Sequence, residues 1–279
     1  MKKRTASVFI VVFLCTILVA PFFATTKIVA HGYGYSGELL STFTTDFSSS
    51  SEGRKTNVRL AAKRIDGIVI GAGEVFSFND VTGERTVENG YATSPIIEYG
   101  QYTLGVGGGV CQVSTTLYNA VIRAGLKILS VAPHSLPVGY VSPSMDAMVS
   151  QATDFRFFNN TPYNITIRSE TKSDKLTFKI YGYKMITDGE EIRFVSKVVD
   201  RLPAVYQEVV DSENLIDEDK DTKIIKQAKD GLVSECYKET YYRGKLLKSV
   251  RIRRDSYAPQ DGVVLVRAKE QKEEINSIA

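Results

Sequence analysis

Residues 105–126, GVGGGVCQVSTTLYNAVIRAGL, constrain the fold more than any other stretch. Four of the first five residues are glycine, so the backbone there is free to turn sharply. A helical stripe follows at once. Val113, Leu117, Ala120, Val121 and Ala124 fall at i, i+4, i+7, i+8 and i+11, which is one face of a helix. Gln112, Thr116, Asn119 and Arg123 mark a polar stripe, and Gly125 is a suitable stop. A glycine corner running straight into a helix puts Cys111 in the first helical turn.

The rest of the chain reads mostly as strands. Residues 31–57 are rich in Gly, Ser and Thr and read as a spacer and lead-in loop. Val58, Ala61, Ala62 and Ile65 then predict a short amphipathic helix. GEVFSFND alternates, with Phe76 and Phe78 on one face, and DFRF at 154–157 is similar. YNITIR and LTFKIY alternate on either side of a polar turn and predict a hairpin. The expected fold class is α+β, a β-rich domain over 31–186 whose longest helix follows Cys111. A boundary near residue 187 leads to a small all-β module over 187–270, with a long hairpin turning at Arg243 and Gly244. Residues 271–279 read as a polar tail.

The N-terminus sets the compartment. Lys2, Lys3 and Arg4 precede an apolar run from Val8 to Ala24, the pattern of an export segment over residues 1–30. The run is near the roughly 17 residues needed to span a bilayer, and Pro21 interrupts its outer end. A signal peptide and a signal-anchor both fit, and either places the bulk of the chain outside the cytoplasm. The formal net charge of +3 is too mild to argue for nucleic acid, but suits work near an anionic wall or membrane. Of three cysteines, Cys15 lies in the apolar run, leaving Cys111 and Cys236. No disulfide framework and no CxxC is present. With only His31 and His134 as histidines, a zinc site has little support, and no metal or other cofactor is expected.

Phosphate loops do not explain the glycines. A dinucleotide fingerprint from Gly105 needs glycine where Val110 stands, and a P-loop needs a lysine that does not follow. A nucleophilic reading fits better. Unpaired N–H groups and the positive end of the helix dipole favour a thiolate at Cys111. Gly108 and Gly109 leave clearance for a substrate backbone, and the N–H groups of Gly109, Val110 and Gln112 can hold an oxyanion. His134, in VAPHSLPVGY, is the candidate proton carrier. Asp146 and Asp154 are candidates to orient it, Arg85 can clamp a carboxylate, and Ser114 can support the first turn. The plain alternatives are a packing thiol, a loop histidine, turn-capping aspartates and a surface arginine. Cys236 reads as structural, with a Cys111–Cys236 disulfide left open.

Several blocks together resemble the VanW domain family. They are NVRLAAKRIDGIVIGAGEVFSFND, GERTVENGYATSPII, GVGGGVCQVSTTLYNAVIRAGL, PHSLPVGYV and DFRFFNNTPYNITI, spread over residues 38–182. Residues 190–268 are similar to the five-glycine module that often follows VanW domains. The resemblance implies peptidoglycan L,D-transpeptidation with Cys111 as nucleophile, and His134 matches a histidine expected in the family. Ser144-Met145 stand before Asp146 where members commonly carry Gly-Arg. The implied partners are peptidoglycan stem peptides and, through the N-terminal segment, the membrane. The oligomeric state is open. A wall peptidase or amidase, and a non-catalytic wall-binding protein, are the alternative functions.

Overall fold

The computed structural model describes residues 37–98, 101–184 and 189–267. The export segment, the expected boundary at 187 and the polar tail lie outside the described residues. Among those described, no helix is long and apolar enough to cross a membrane.

The chain begins with β1 (Glu38–Asp46), α1 (Glu52–Ile65), β2 (Val69–Ile70), β3 (Val75–Ser77) and α2 (Phe78–Thr82). It continues through β4 (Thr93–Glu98), β5 (Gln101–Val106), α3 (Val110–Arg123), β6 (Lys127–Ser130) and β7 (Arg156–Phe158) to β8 (Ile165–Lys172) and β9 (Lys175–Gly182). A four-stranded sheet runs in the order β1-β9-β8-β2, a three-stranded sheet in the order β3-β7-β6, and β4 and β5 form a hairpin. The expected YNITIR–LTFKIY hairpin is the antiparallel β8–β9 pair.

Two expectations need correction. Residues 38–46 are a strand and not a spacer: β1 pairs antiparallel with β9 along its length. Helix α1 starts at Glu52, capped by the Ser51 side chain, and matches α3 at 14 residues, so among the described residues the two helices share the greatest length. Phe78 is the first residue of α2 and does not continue β3; the Ser77 hydroxyl accepts the Asp80 amide and ends the strand.

Helix α3 is buried on nearly every side: Val110 and all residues from Gln112 to Ile122 are inaccessible. Its polar stripe is therefore not a solvated face. Buried polar groups need partners, and β1 supplies them on one flank. Thr45 and Thr116 share a 2.8 Å hydroxyl bond, and the Ser41 hydroxyl donates to the Ala120 carbonyl at 2.7 Å. On the other flank the Asn119 amide donates to Met145 O at 2.7 Å, and Ser114 Oγ donates to Ala147 O at 2.6 Å. The helix thus holds the 145–147 segment by polar latches.

Six further strands follow: β10 (Glu190–Leu202), β11 (Tyr206–Val210), β12 (Thr222–Lys226), β13 (Gly231–Tyr242), β14 (Lys245–Tyr257) and β15 (Gly262–Val266). They form two three-stranded sheets, β10-β13-β14 and β11-β15-β12, with β11 and β15 parallel. The β13–β14 hairpin turns at Arg243 and Gly244 as expected, both at positive φ. This part packs on the first. Arg123 lies over the rings of both Phe43 and Phe194, at 4.5 and 5.3 Å, and Ser196 Oγ donates to Pro143 O at 2.6 Å.

Candidate functional site

The glycine corner is built by protein packing. Gly107 and Gly109 have φ of 89° and 106°, a region that strains any residue with a Cβ. A Cβ on Gly108 would lie 2.5 Å from the Pro95 carbonyl oxygen, and one on Gly107 would lie 2.8 Å from the Arg85 Cβ. On Gly109 it would meet the Arg54 and Val58 side chains at 3.0 and 3.1 Å. The glycines line a cleft, but the space their missing side chains leave is filled by α1, β4 and Arg85. Packing therefore requires glycine at these positions, while their backbone faces the cleft. The oxyanion expectation narrows. The N–H groups of Val110 and Gln112 are taken by the carbonyls of Gly107 and Gly109. The Cys111 amide has no acceptor among the described residues. Gln112 is also fixed by its side chain, which accepts from Arg54 at 2.7 Å and donates to Thr45 and Asp46.

Cys111 is half-buried at the mouth of this corner, and its sulfur lies 3.2 Å from Val149 O. His134 lines the same cleft, and it is the group whose interaction lowers the thiol. His134 is 5% exposed, and its Nδ1 lies 2.7 Å from Asp146 Oδ2. The same oxygen accepts the His134 backbone N–H at 2.7 Å. With Nδ1 donating to the carboxylate, Nε2 is the nitrogen left for the thiol. The imidazole is thus paired with a carboxylate on one side, in the cleft that Cys111 and His134 both line.

The electrostatics follow from that pairing. Burial opposes charge on His134, but its hydrogen bonds to Asp146 and to Cys111 outweigh burial and raise it to about 9. Burial likewise pushes the Cys111 thiol up, while the hydrogen bond and positive charge of His134, with help from Arg85, bring it below its ordinary value. Burial raises Asp146, and bonds from His134 and Tyr257 overcome this and keep it ionised. The arrangement favours a thiolate beside an imidazolium.

The other expected residues are placed as follows. Asp154 does not orient His134: its oxygens accept the Ser77 hydroxyl at 2.7 Å and the Asn79 amide at 2.9 Å, capping α2. Arg85 lies on the cleft wall, where it donates to Asn79 Oδ1 at 2.6 Å and leans over the Phe78 ring. Ser114 is a buried latch to Ala147 and does not face the cleft opening. Cys111 and Cys236 are both free thiols, so they form no disulfide. Cys236 is fully buried 3.1 Å from the Met145 sulfur, and burial pushes it up to about 11.

The cleft has a volume of 660 Å³, and the β4–β5 hairpin contributes Ile96 and Ile97 to its wall. Sequence reasoning missed two of its polar residues. Arg54 sits in what read as a spacer, and nothing local marks it. Tyr140 faces Cys111, and its place in the PHSLPVGYV block beside His134 was the available clue. Arg54 and Arg85 line the cleft, and among the described residues no Asp or Glu does. Neither guanidinium has a carboxylate partner among the described residues. Among the described residues no cluster of His, Cys, Asp and Glu has the form of a metal site.

Comparison with known proteins places the same region. Residues 53–181 match the family described as VanW like protein. The chain is 41% identical over 179 residues to the uncharacterized protein YoaR of Bacillus subtilis (strain 168), covering 64% of this chain and 57% of that one. It is 26% identical over 139 residues to the vancomycin B-type resistance protein VanW of Enterococcus faecalis (strain ATCC 700802 / V583), covering 48% and 50%. The chain thus spans about half the length of these curated relatives. Among solved structures, HP0197-G5 aligns at 14% identity and a TM-score of 0.18, covering 28% of this chain and 93% of that one. An IgA1 protease G5 domain aligns at 11% identity and a TM-score of 0.20, covering 29% and 94%.

Proposed function

With residues 53–181 a VanW-like domain, we propose that the chain is an extracytoplasmic peptidoglycan L,D-transpeptidase working through a Cys111 acyl-enzyme. The observation that carries the reading is half-buried Cys111 in one cleft with His134, whose Nδ1 is bonded to buried Asp146. A thiolate paired with an imidazolium is an activated nucleophile beside its own general acid.

The Cys111 thiolate attacks the carbonyl carbon after the third residue of a tetrapeptide stem. The oxyanion that forms is met by the Cys111 backbone N–H. His134 Nε2 passes its proton to the nitrogen of the terminal D-Ala, the C–N bond breaks, and free D-Ala leaves. A thioester remains. The side-chain amine of a second stem attacks it, His134 takes the amine proton, and the Cys111 thiolate departs. The product is a 3-3 cross-link. Asp146 stays ionised throughout and stabilises the imidazolium. The two guanidiniums of the cleft suit a peptide carrying carboxylates. No step requires a cofactor.

The five-glycine-like reading of residues 190–268 rests on the sequence blocks, and it gives that region a wall-associated role. The test is product analysis with tetrapeptide muropeptides. The wild-type chain is expected to yield 3-3 dimers and free D-Ala, and Cys111→Ala none. Dimers from Cys111→Ala contradict the mechanism. Shortened stems without dimers would make the chain a hydrolase instead.

A further inference from the structure

The β10–β15 region reaches the site from behind. Strand β14 ends at Tyr257, which is fully buried. The Tyr257 hydroxyl donates to Asp146 Oδ1 at 2.6 Å and accepts the Ser144 amide at 2.6 Å. Asp146 Oδ2 is already occupied by both His134 bonds. The two carboxylate oxygens are thus served by different parts of the chain, one by the histidine and one by β14. Arg253, also on β14, donates to the Asp146 carbonyl oxygen and stands 3.9 Å from Oδ1.

The segment before Asp146 is shaped for this contact. Ser144 is at a φ of 60°, in the left-handed region. Its hydroxyl shares a 2.6 Å bond with Ser234 of β13, and the Met145 sulfur meets Cys236. The Ala258 amide donates to Ser135 O, next to the histidine. Strands β13 and β14 help bury Asp146 and Ser144, and the Tyr257 hydroxyl supplies the partner that a buried carboxylate oxygen and a buried N–H need.

We propose that Tyr257 is a positioning residue for the thiol chemistry, locking Asp146 so that His134 is held in one orientation toward Cys111. The C-terminal strands are then part of the working site and more than an attachment device. This rests on the reading of Cys111 as a thiolate nucleophile. It requires no assumption about what the acyl group is passed to.

The groups facing this cluster set the expected pH response. Cys111 on α3, Arg85 after α2 and Tyr140 in the loop after His134 face it from the cleft side. Arg253 faces it from β14, itself held by Tyr118 of α3 and by Asp255 at 3.0 Å. The cluster of thiolate, imidazolium and carboxylate carries a net negative charge. Removing a donor from an anion makes it take up a proton more readily.

The test uses the full chain and the Tyr257→Phe variant. The rate of Cys111 alkylation by iodoacetamide is followed against pH by peptide mapping, alongside the NMR signal of the His134 Nδ1 proton. Tyr257→Phe is expected to move the acid limb of the alkylation profile up by about one pH unit, and to shift the Nδ1 proton signal. Arg253→Gln is expected to move the limb in the same direction by less, and carries the test if Tyr257→Phe does not fold. Tyr237→Phe, whose hydroxyl serves Glu235 on the same sheet, is expected to leave both readouts unchanged. An unmoved limb and signal in a folded Tyr257→Phe chain overturn the proposal, as does an equal shift in Tyr237→Phe. Neither readout depends on transpeptidation, so a chain that forms no cross-links would sink the proposed reaction and leave this inference standing.

Discussion

The two thiols of the described chain sit in opposite settings. Cys111 stands at a helix start, half-buried, against His134 and the charge of Arg85, and its thiol is held below the ordinary range. Cys236 is sealed in the seam between the two parts of the molecule against Met145, and its thiol is pushed up to about 11. Both feel burial, and it raises both. The difference is the imidazole: a cation within hydrogen-bond reach reverses the sign at Cys111, while the charges of Arg253 and Arg123 only moderate it at Cys236. Burial alone does not decide whether a cysteine is reactive; a directed, positively charged partner does.

The largest expected effect tests that contrast outright. Cys111→Ala should remove rapid alkylation near neutral pH altogether, and Cys236→Ala should leave its rate unchanged, as measured by iodoacetamide labelling and intact mass. Fast labelling of Cys236 in the folded chain would break the comparison. Asp146→Asn comes next. An amide cannot stabilise the imidazolium, so Cys111 reactivity at pH 7 should fall by about a hundredfold, read as the alkylation rate.

The pH dependence sharpens the same point. With His134 raised to about 9, the thiolate–imidazolium pair persists from the lowered Cys111 value up to that pH. Above about 9 the imidazolium loses its proton while the thiolate remains. Alkylation should therefore stay high there while acyl transfer, which needs the acid, declines. Parallel decline of both would contradict the assignment of His134 as the proton donor.

Smaller effects concern the cleft wall. Arg85→Gln removes a guanidinium with no carboxylate partner among the described residues, and should raise KM for a carboxylate-bearing stem by about tenfold with alkylation little changed. The smallest effect on reactivity is expected from Gly109→Ala. A φ of 106° and contacts near 3 Å should cost about 2 kcal/mol of stability by denaturant melting, without moving the alkylation limb.

Periodicity in the sequence located the elements with an apolar rhythm: α3, the β8–β9 hairpin and the β13–β14 hairpin. It missed β1 because the inward residues of that strand include Ser41 and Thr45, which meet the polar stripe of α3. Hydropathy reads such a match as a solvated surface on both partners. The thiol and the histidine were legible because few candidates existed. The choice between Asp146 and Asp154 was not, since both precede apolar residues in strand-like surroundings and only the tertiary path separates them. Arg54, 57 residues before Cys111, and Tyr257, 111 residues after Asp146, reach the site through contacts that no local pattern records. The glycines carry a second requirement that the sequence did not separate from the first. Their clearance serves Pro95, Arg85 and Val58, which is a packing requirement with the same sequence signature as a substrate approach.

The central claim is that Cys111 carries the acyl group. Its most direct test is intact-mass analysis of the full chain quenched during turnover with a disaccharide-tetrapeptide, followed by peptide mapping. The account predicts a mass gain equal to the donor less its terminal D-Ala, located on the peptide containing Cys111 and lost when acceptor amine is added. No adduct, or an adduct at another residue, would contradict it.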